Sequence, residues 1–402
     1  MRGATLWAAG ALAIAASAGG AARAGGACDA WTVVPSPDIS KTGDNTFASV
    51  AGRNSDDVWA VGQYIPDGRP NVTRTFAAHY DGKAWSAIPS PNVGRQANAL
   101  HHVAVAATGQ AWAVGYAIDE TAFVSHTLIL AWDGAAWRVV PHPADPGVAA
   151  VLFGVAAHSA SDVWAVGEYE QPIDRFHTLI EHFDGRAWAI EPSPDPGETG
   201  DILYGVTTRG RAVFAVGERT SDASPDRALI LALRGGRWTA LEPPPADGDA
   251  TTRLYGAATD ASGALHAAGE AEDDPENTFA LAELGAQGQP LKAQSVEHVG
   301  ASANHFYGLG AAPDGTAWAV GARFDPASGR QFTLLERAEP GGRWLAARTP
   351  SPSRAGDSLL ADVAPVGSDV WAVGAFDGPN AQRSLILHSC HYGAPPATMT
   401  GR

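Results

Sequence analysis

Val58-Trp-Ala-Val-Gly62 returns along the chain as Ala111-Trp-Ala-Val-Gly115, Val163-Trp-Ala-Val-Gly167, Val213-Phe-Ala-Val-Gly217, Leu265-His-Ala-Ala-Gly269, Ala317-Trp-Ala-Val-Gly321 and Val370-Trp-Ala-Val-Gly374, at intervals of 50 to 53 residues. The residues are strand formers. A fixed period of this size marks an array of supersecondary units, none of which buries its apolar face alone. The repeat therefore overrides the two or three domains that 402 residues would otherwise imply.

Working outward from the phrase, the first unit reads as four strands. Phe47 to Val50 is a short apolar run, and Asn54 to Asp57 is a turn. Val58 to Tyr64 carries the phrase, a variable loop spans Ile65–Thr73, and a third strand runs from Arg74 to Tyr80. Asp81-Gly82 then turns the chain into Trp85 to Ile88, followed by Pro89-Ser-Pro91. The turn recurs as Asp133-Gly134 and Asp184-Gly185, with Gly-Gly at 235–236 and 341–342, and predicts two-residue hairpins. Helical periodicity is absent. Units of about 50 residues with four strands are propeller blades. The expected fold is an all-β, seven-bladed β-propeller of four-stranded antiparallel blades.

The ends extend this reading. The seventh unit, Leu359 to Cys390, stops after three strands, and Trp31-Thr-Val-Val-Pro-Ser-Pro37 matches Trp85 to Pro91. The N-terminal strand is thus expected to complete the last blade and close the ring, which removes exposed edges. Cys28 and Cys390 flank that junction and form the expected disulfide, against the alternative of two independent thiols. Loop entropy for so long a closure reaches about 5–6 kcal/mol as an upper figure.

Arg2, the apolar run Leu6 to Ala18 and small-residue cleavage sites ending at Ala18 or Ala24 have the order of a secretory leader. This predicts a signal peptide over 1–24, a propeller over 28–391 and a tail over 392–402. The mature chain is expected to be exported, extracellular or periplasmic, without a membrane span, and monomeric. A net charge of −16 without a basic cluster argues against nucleic-acid binding.

The Asp57-Val-Trp-Ala-Val-Gly62 phrase, with Asp-Gly-x-x-Trp and Pro-Ser-Pro, resembles the exported repeat proteins of bacteria related to kelch and galactose-oxidase propellers. The resemblance covers nearly the whole mature chain. It implies the fold and says little about activity, because propellers host unrelated functions.

Most repeated residues read as packing. The phrase tryptophans (Trp59, Trp112, Trp164, Trp318, Trp371) and the fourth-strand row (Trp31, Trp85, Trp137, Trp188, Trp238, Trp344) are expected between blades, with Ala60 and Gly62 leaving room for the neighbour. A polar row before each first strand, including Asn45, Asn98, Asp201 and Asn304, either forms turns or rings one mouth of a central channel. Immediately after the phrase, Glu168, Glu218 and Glu270 come from consecutive units at one height. The third strands open with Arg74, His126, His177 and Arg227, giving candidate pairs Glu168–His177 and Glu218–Arg227. These residues are the candidate binding site, to be weighed against ordinary cross-strand pairing. Glu272, Asp273 and Asp274 offer oxygen ligands for Ca²⁺, although a solvated charged loop is the simpler reading, so no cofactor is expected. Zinc spacing, a P-loop, a dinucleotide fingerprint and a nucleophile elbow are missing from the sequence. The leading expectation is a binding or scaffold module for a protein or glycan at the loop-bearing mouth. The alternative is a glycoside hydrolase or polysaccharide lyase using two of the three glutamates as acid and base.

Overall fold

The structure is a computed structural model that describes residues 30–390 apart from 172–174, 223, 244–250, 275–276, 285–290, 294–303 and 341. The leader, Cys28 and the tail 392–402 lie outside the described residues, as do the side chains of Glu272, Asp273 and Asp274.

Each repeat unit folds as an antiparallel sheet in chain order. The first comprises Asn45–Asn54, Asp57–Tyr64, Arg74–Tyr80 and Trp85–Ile88. Units three and four are joined by one parallel bridge between Phe176 and Gly200. The last unit supplies Ser358–Val366, Asp369–Asp377 and Gln382–Cys390, and Thr32–Val33 adds the fourth strand through Thr32↔His388 and Val33↔Leu387. The result is an all-β, propeller-like fold. Among the described residues, no helix is long and apolar enough to cross a membrane.

The phrase strands are buried on both faces because each sheet is covered by its neighbours. Trp59 meets Trp137 of the next unit edge-on, with ring centres 5.1 Å apart and planes at 84°. The same contact joins Trp112 to Trp188, Trp164 to Trp238, and Trp371 of the last unit to Trp85 of the first. Edge-to-face pairs of this kind add about 0.5–1.5 kcal/mol beyond their buried area. The first strands also pack side by side in unit order, and Ser358–Val366 lies against Asn45–Asn54.

Two expectations need correction. The phrase glycine does not make room for a neighbouring sheet. A Cβ on Gly217 would stand 1.8 Å from the carbonyl oxygen of Ile202, in the first strand of its own sheet. The Asp-Gly turns are four-residue loops, since Tyr80 pairs with Trp85 and Trp132 with Trp137. In these loops only the glycine takes positive φ, while the aspartate accepts two backbone N–H groups, as Asp133 does from Ala135 and Ala136. Among the described residues, Gly235-Gly236 alone forms a two-residue turn with both φ values positive, between Arg234 and Arg237.

The crowding at the phrase glycine has a cause. Every first strand carries a β-bulge at the same place, between Phe47 and Ser49, Leu100 and His102, Leu152 and Gly154, Leu203 and Gly205, Leu254 and Gly256, Phe306 and Gly308, and Leu360 and Asp362. A bulge leaves one residue unpaired and re-aims its side chain.

Candidate functional site

The unpaired residues of the bulges line a cavity of about 230 Å³ between the first strands. On one side they are small, Ala48 and Ala361. On the other they form an arc of five rings: His101, Phe153, Tyr204, Tyr255 and Tyr307. Consecutive members touch. His101 and Phe153 stack 5.2 Å apart at 7°, Phe153 and Tyr204 lie 5.4 Å apart, and Tyr204 and Tyr255 lie 5.0 Å apart. Tyr255 and Tyr307 complete the arc at 6.2 Å. All five rings are half-buried, as a lined cavity requires. The glycine after four of these aromatics lets adjacent first strands approach; a Cβ on Gly205 would lie 2.7 Å from the carbonyl oxygen of Tyr255.

In the remaining units the position after the bulge is polar. Ser49 Oγ bonds Asp362 Oδ2 at 2.7 Å, and Val50 N–H donates to the same oxygen at 3.0 Å. His102 stands 3.9 Å from it. Burial raises the pKa of Asp362 above the usual carboxylate range.

The three glutamates after the phrase stand beside the arc, in register with Val151, Ile202 and Arg253, each two residues ahead of a bulge residue. Arg253 ties two of them together. Its Nε donates to Glu218, its NH1 to Glu270 at 2.9 Å and its NH2 to Asp226 at 2.8 Å. Tyr204 OH donates to Glu218 at 2.6 Å, and Tyr255 OH to Glu270 at 2.9 Å. His305 Nδ1 lies 2.9 Å from the other oxygen of Glu270. Burial would raise Glu270, but its bonds from His305, Arg253 and Tyr255 outweigh that and hold its pKa at about 2. Glu168 has no such support. Burial, then the charges of Glu218 and Glu170, push its pKa up to about 7, and its Oε2 is buried without a hydrogen-bond partner.

The other candidate residues serve elsewhere. The pairs Glu168–His177 and Glu218–Arg227 do not form, because Glu168 opposes Thr178 and Glu218 opposes Ala228. A one-residue offset puts the expected partners on opposite faces. His177 turns to Asp195 at 3.1 Å and His126 to Asp145 at 2.8 Å, both in segments that follow fourth strands. Arg74 donates to the carbonyls of Arg95 and Gln96. Asn45, Asn98 and Asp201 are buried and fasten their own loops: Asn45 accepts from Ile39 and Ser40 N–H, Asn98 from Val93 and Asp201 from Gly197. Asn304 is buried at the same repeat position. Turn formation therefore accounts for Asn45, Asn98 and Asp201, whereas the Oδ1 of Asn304 is buried without a hydrogen-bond partner. Cys390 is not a free thiol, and its expected partner Cys28 lies outside the described residues.

The arc and Arg253 were missed from sequence. The signal for the arc was present as Phe153-Gly154, Tyr204-Gly205, Tyr255-Gly256 and Tyr307-Gly308, an aromatic-glycine pair at one position of four consecutive units.

No protein-family model matches the chain, and no curated protein matches it. Among solved structures, it is similar to a protein of unknown function from Dyadobacter fermentans DSM 18053, with 12% identity and a TM-score of 0.52 over 90% of this chain and 98% of that one. It is also similar to a polysaccharide lyase, PL25 ulvan lyase, with a TM-score of 0.49 and 10% identity over 89% of this chain and 96% of that one in the structure bound to -[GlcA(1-4)Rha3S]-. The Dyadobacter likeness concerns the fold alone.

Proposed function

We propose that the chain is an exported, seven-bladed β-propeller, related to the kelch-like exported repeat proteins of bacteria, that binds a carbohydrate ring in the cavity between its first strands. Two features support the ring. Thr32–Val33 pairs with the last unit's third strand, and Trp371 of that unit packs on Trp85 of the first. The observation that carries the binding reading is the five-membered aromatic arc facing small Ala48 and Ala361. Aromatic faces stack on the C–H faces of sugars, and His101, His102 and Asp362 of the lining offer hydrogen bonds to hydroxyls. A cavity of about 230 Å³ admits one sugar ring of a chain and excludes a folded partner. The hydrolase or lyase alternative needs two free carboxylates, whereas Glu218 and Glu270 are both engaged by Arg253.

The test is a glycan array followed by calorimetry on the positive glycans, with wild type and Phe153→Ala. We expect micromolar to millimolar binding that weakens by at least about tenfold in the variant, the loss of one stacked ring being worth on the order of 1–2 kcal/mol. Absence of any glycan binding, or binding indifferent to Phe153→Ala, would overturn the proposal.

A further inference from the structure

The repeat makes the seams between neighbouring units comparable. Near the end of each third strand, one residue pairs with the fourth-strand tryptophan: Tyr80 with Trp85, Trp132 with Trp137, Phe183 with Trp188 and Leu233 with Trp238. Three of these are rings that lie on the phrase tryptophan of the adjoining unit. Tyr80 stands 4.8 Å from Trp371, Trp132 4.8 Å from Trp59 and Phe183 5.0 Å from Trp112. Leu233 packs in the cluster that holds Trp164. In the last unit, the register that pairs Thr32 with His388 sets Ser389 opposite Trp31. A serine there is far smaller than a ring. Beside it lies a cavity of about 780 Å³ between the sixth and seventh units, walled by buried Trp31, Trp318, Leu335 and Val370. Ligand pockets for small molecules have this size and apolar character.

The same seam differs in charge. Trp59, Trp164 and Trp371 each meet a histidine of their own third strand, His79, His182 and His388, with ring centres 3.9 to 4.4 Å apart. Trp318 instead meets a guanidinium, Arg337, whose Cζ lies 5.9 Å from the ring centre and which pairs with Glu339. Arg343 and Arg348 line the same cavity and are exposed, and among the described residues neither forms an ion pair. The lining thus holds three arginines against one glutamate, in a chain whose net charge is −16. Guanidinium groups bind carboxylates through paired N–H donors and keep their charge at every physiological pH.

We propose that this seam is a second binding site, distinct from the cavity between the first strands, and that it takes a small aromatic acid. The ligand's ring occupies the space that Tyr80, Trp132 and Phe183 fill at other seams, against Trp31 and Trp318. Its carboxylate faces Arg343 and Arg348.

Calorimetry with naphthoate, its neutral amide naphthamide and the cationic naphthylmethylamine tests this. Wild type is expected to bind naphthoate at least about tenfold more tightly than the amide, as a charge-assisted contact predicts, and the amine most weakly. In the double variant Arg343→Gln, Arg348→Gln that preference should vanish while affinity for the amide stays within about twofold. Ser389→Phe restores the ring of the other seams. It should weaken naphthoate at least about tenfold without lowering the thermal midpoint, as a filled cavity predicts. Both arginines are exposed, so their variant keeps the test decisive even where Ser389→Phe does not fold. Failure of wild type to bind naphthoate, equal affinity for acid and amide, or an acid preference that survives loss of both arginines overturns the proposal. Undiminished binding by folded Ser389→Phe overturns it as well.

Discussion

Glu168 and Glu270 hold the same register position two units apart, yet their surroundings drive their ionisation in opposite directions. For Glu168 the folded state keeps a proton up to about pH 7, whereas the ordinary glutamate value is 4.5. The folded state therefore binds more protons than the unfolded one between those limits, and its stability falls as pH rises through that window. The shift corresponds to about 3 kcal/mol as an upper figure. Glu168→Gln, which cannot ionise, is expected to be more stable than wild type by up to about that amount at pH 8 and equal to it near pH 4. Urea unfolding at the two pH values checks this, and a difference of the same size at both would contradict it. The sequence singled out the three glutamates because they break the repetition after the phrase glycine. It did not reveal that two are saturated and one is not. The deciding partners, Arg253 for Glu218 and His305 for Glu270, come from the following unit, so no pattern within one hairpin contains them.

At the scale of the element, the segments that follow the fourth strands, Pro-Ser-Pro in several units, act as straps. Asp195, just past Pro192-Ser-Pro194, accepts from Thr178 N–H at 2.7 Å and Thr178 Oγ1 at 2.9 Å. Asn92 accepts from Thr75 N–H at 3.0 Å, Asp145 from Thr127 Oγ1 at 2.6 Å, and Asp38 takes bonds from Ser384 in the last unit. The chain leaving each fourth strand is thereby pinned to the start of the third. Asp195→Ala removes the acceptor and leaves Thr178, which is buried, with fewer partners. A loss of about 1–3 kcal/mol is expected, with Asp195→Asn recovering part of it. Thermal denaturation of the two variants measures the effect, and an unchanged midpoint for Asp195→Ala would reject the strap. Strand existence was legible from the period and the turn residues. The hairpin register was not, since the loop between second and third strands differs in every unit and a slip of one residue exchanges the two faces of the strand. That slip is why His177 meets Asp195 and Tyr169 instead of Glu168.

At the scale of the whole molecule, the proposed ring depends on eleven or so residues at the N-terminus, because the last unit owns only three strands. Trp31 is buried with Trp318, Leu385 and Leu387, which joins the sixth unit, the seventh and the chain start in one apolar cluster. Further along, Gln382 N–H donates to Asp44, and Arg383 donates to the carbonyls of Ser40 and Lys41. This junction was legible in the sequence, because Trp31 to Pro37 matches Trp85 to Pro91. The repeat thus identified the missing strand by its likeness to the five other fourth strands that open on tryptophan. Trp31→Ala should lose about 3–5 kcal/mol, as for other buried tryptophans cut to alanine. A chain beginning at Lys41 lacks the strand entirely and leaves Gln382–Cys390 with an open edge, which templates pairing with other chains. We expect that chain to melt well below wild type and to self-associate in light scattering, while Trp31→Ala remains monomeric with a lowered midpoint. A truncated chain that stays monomeric and melts with wild type would mean that the ring is held without its N-terminal strand.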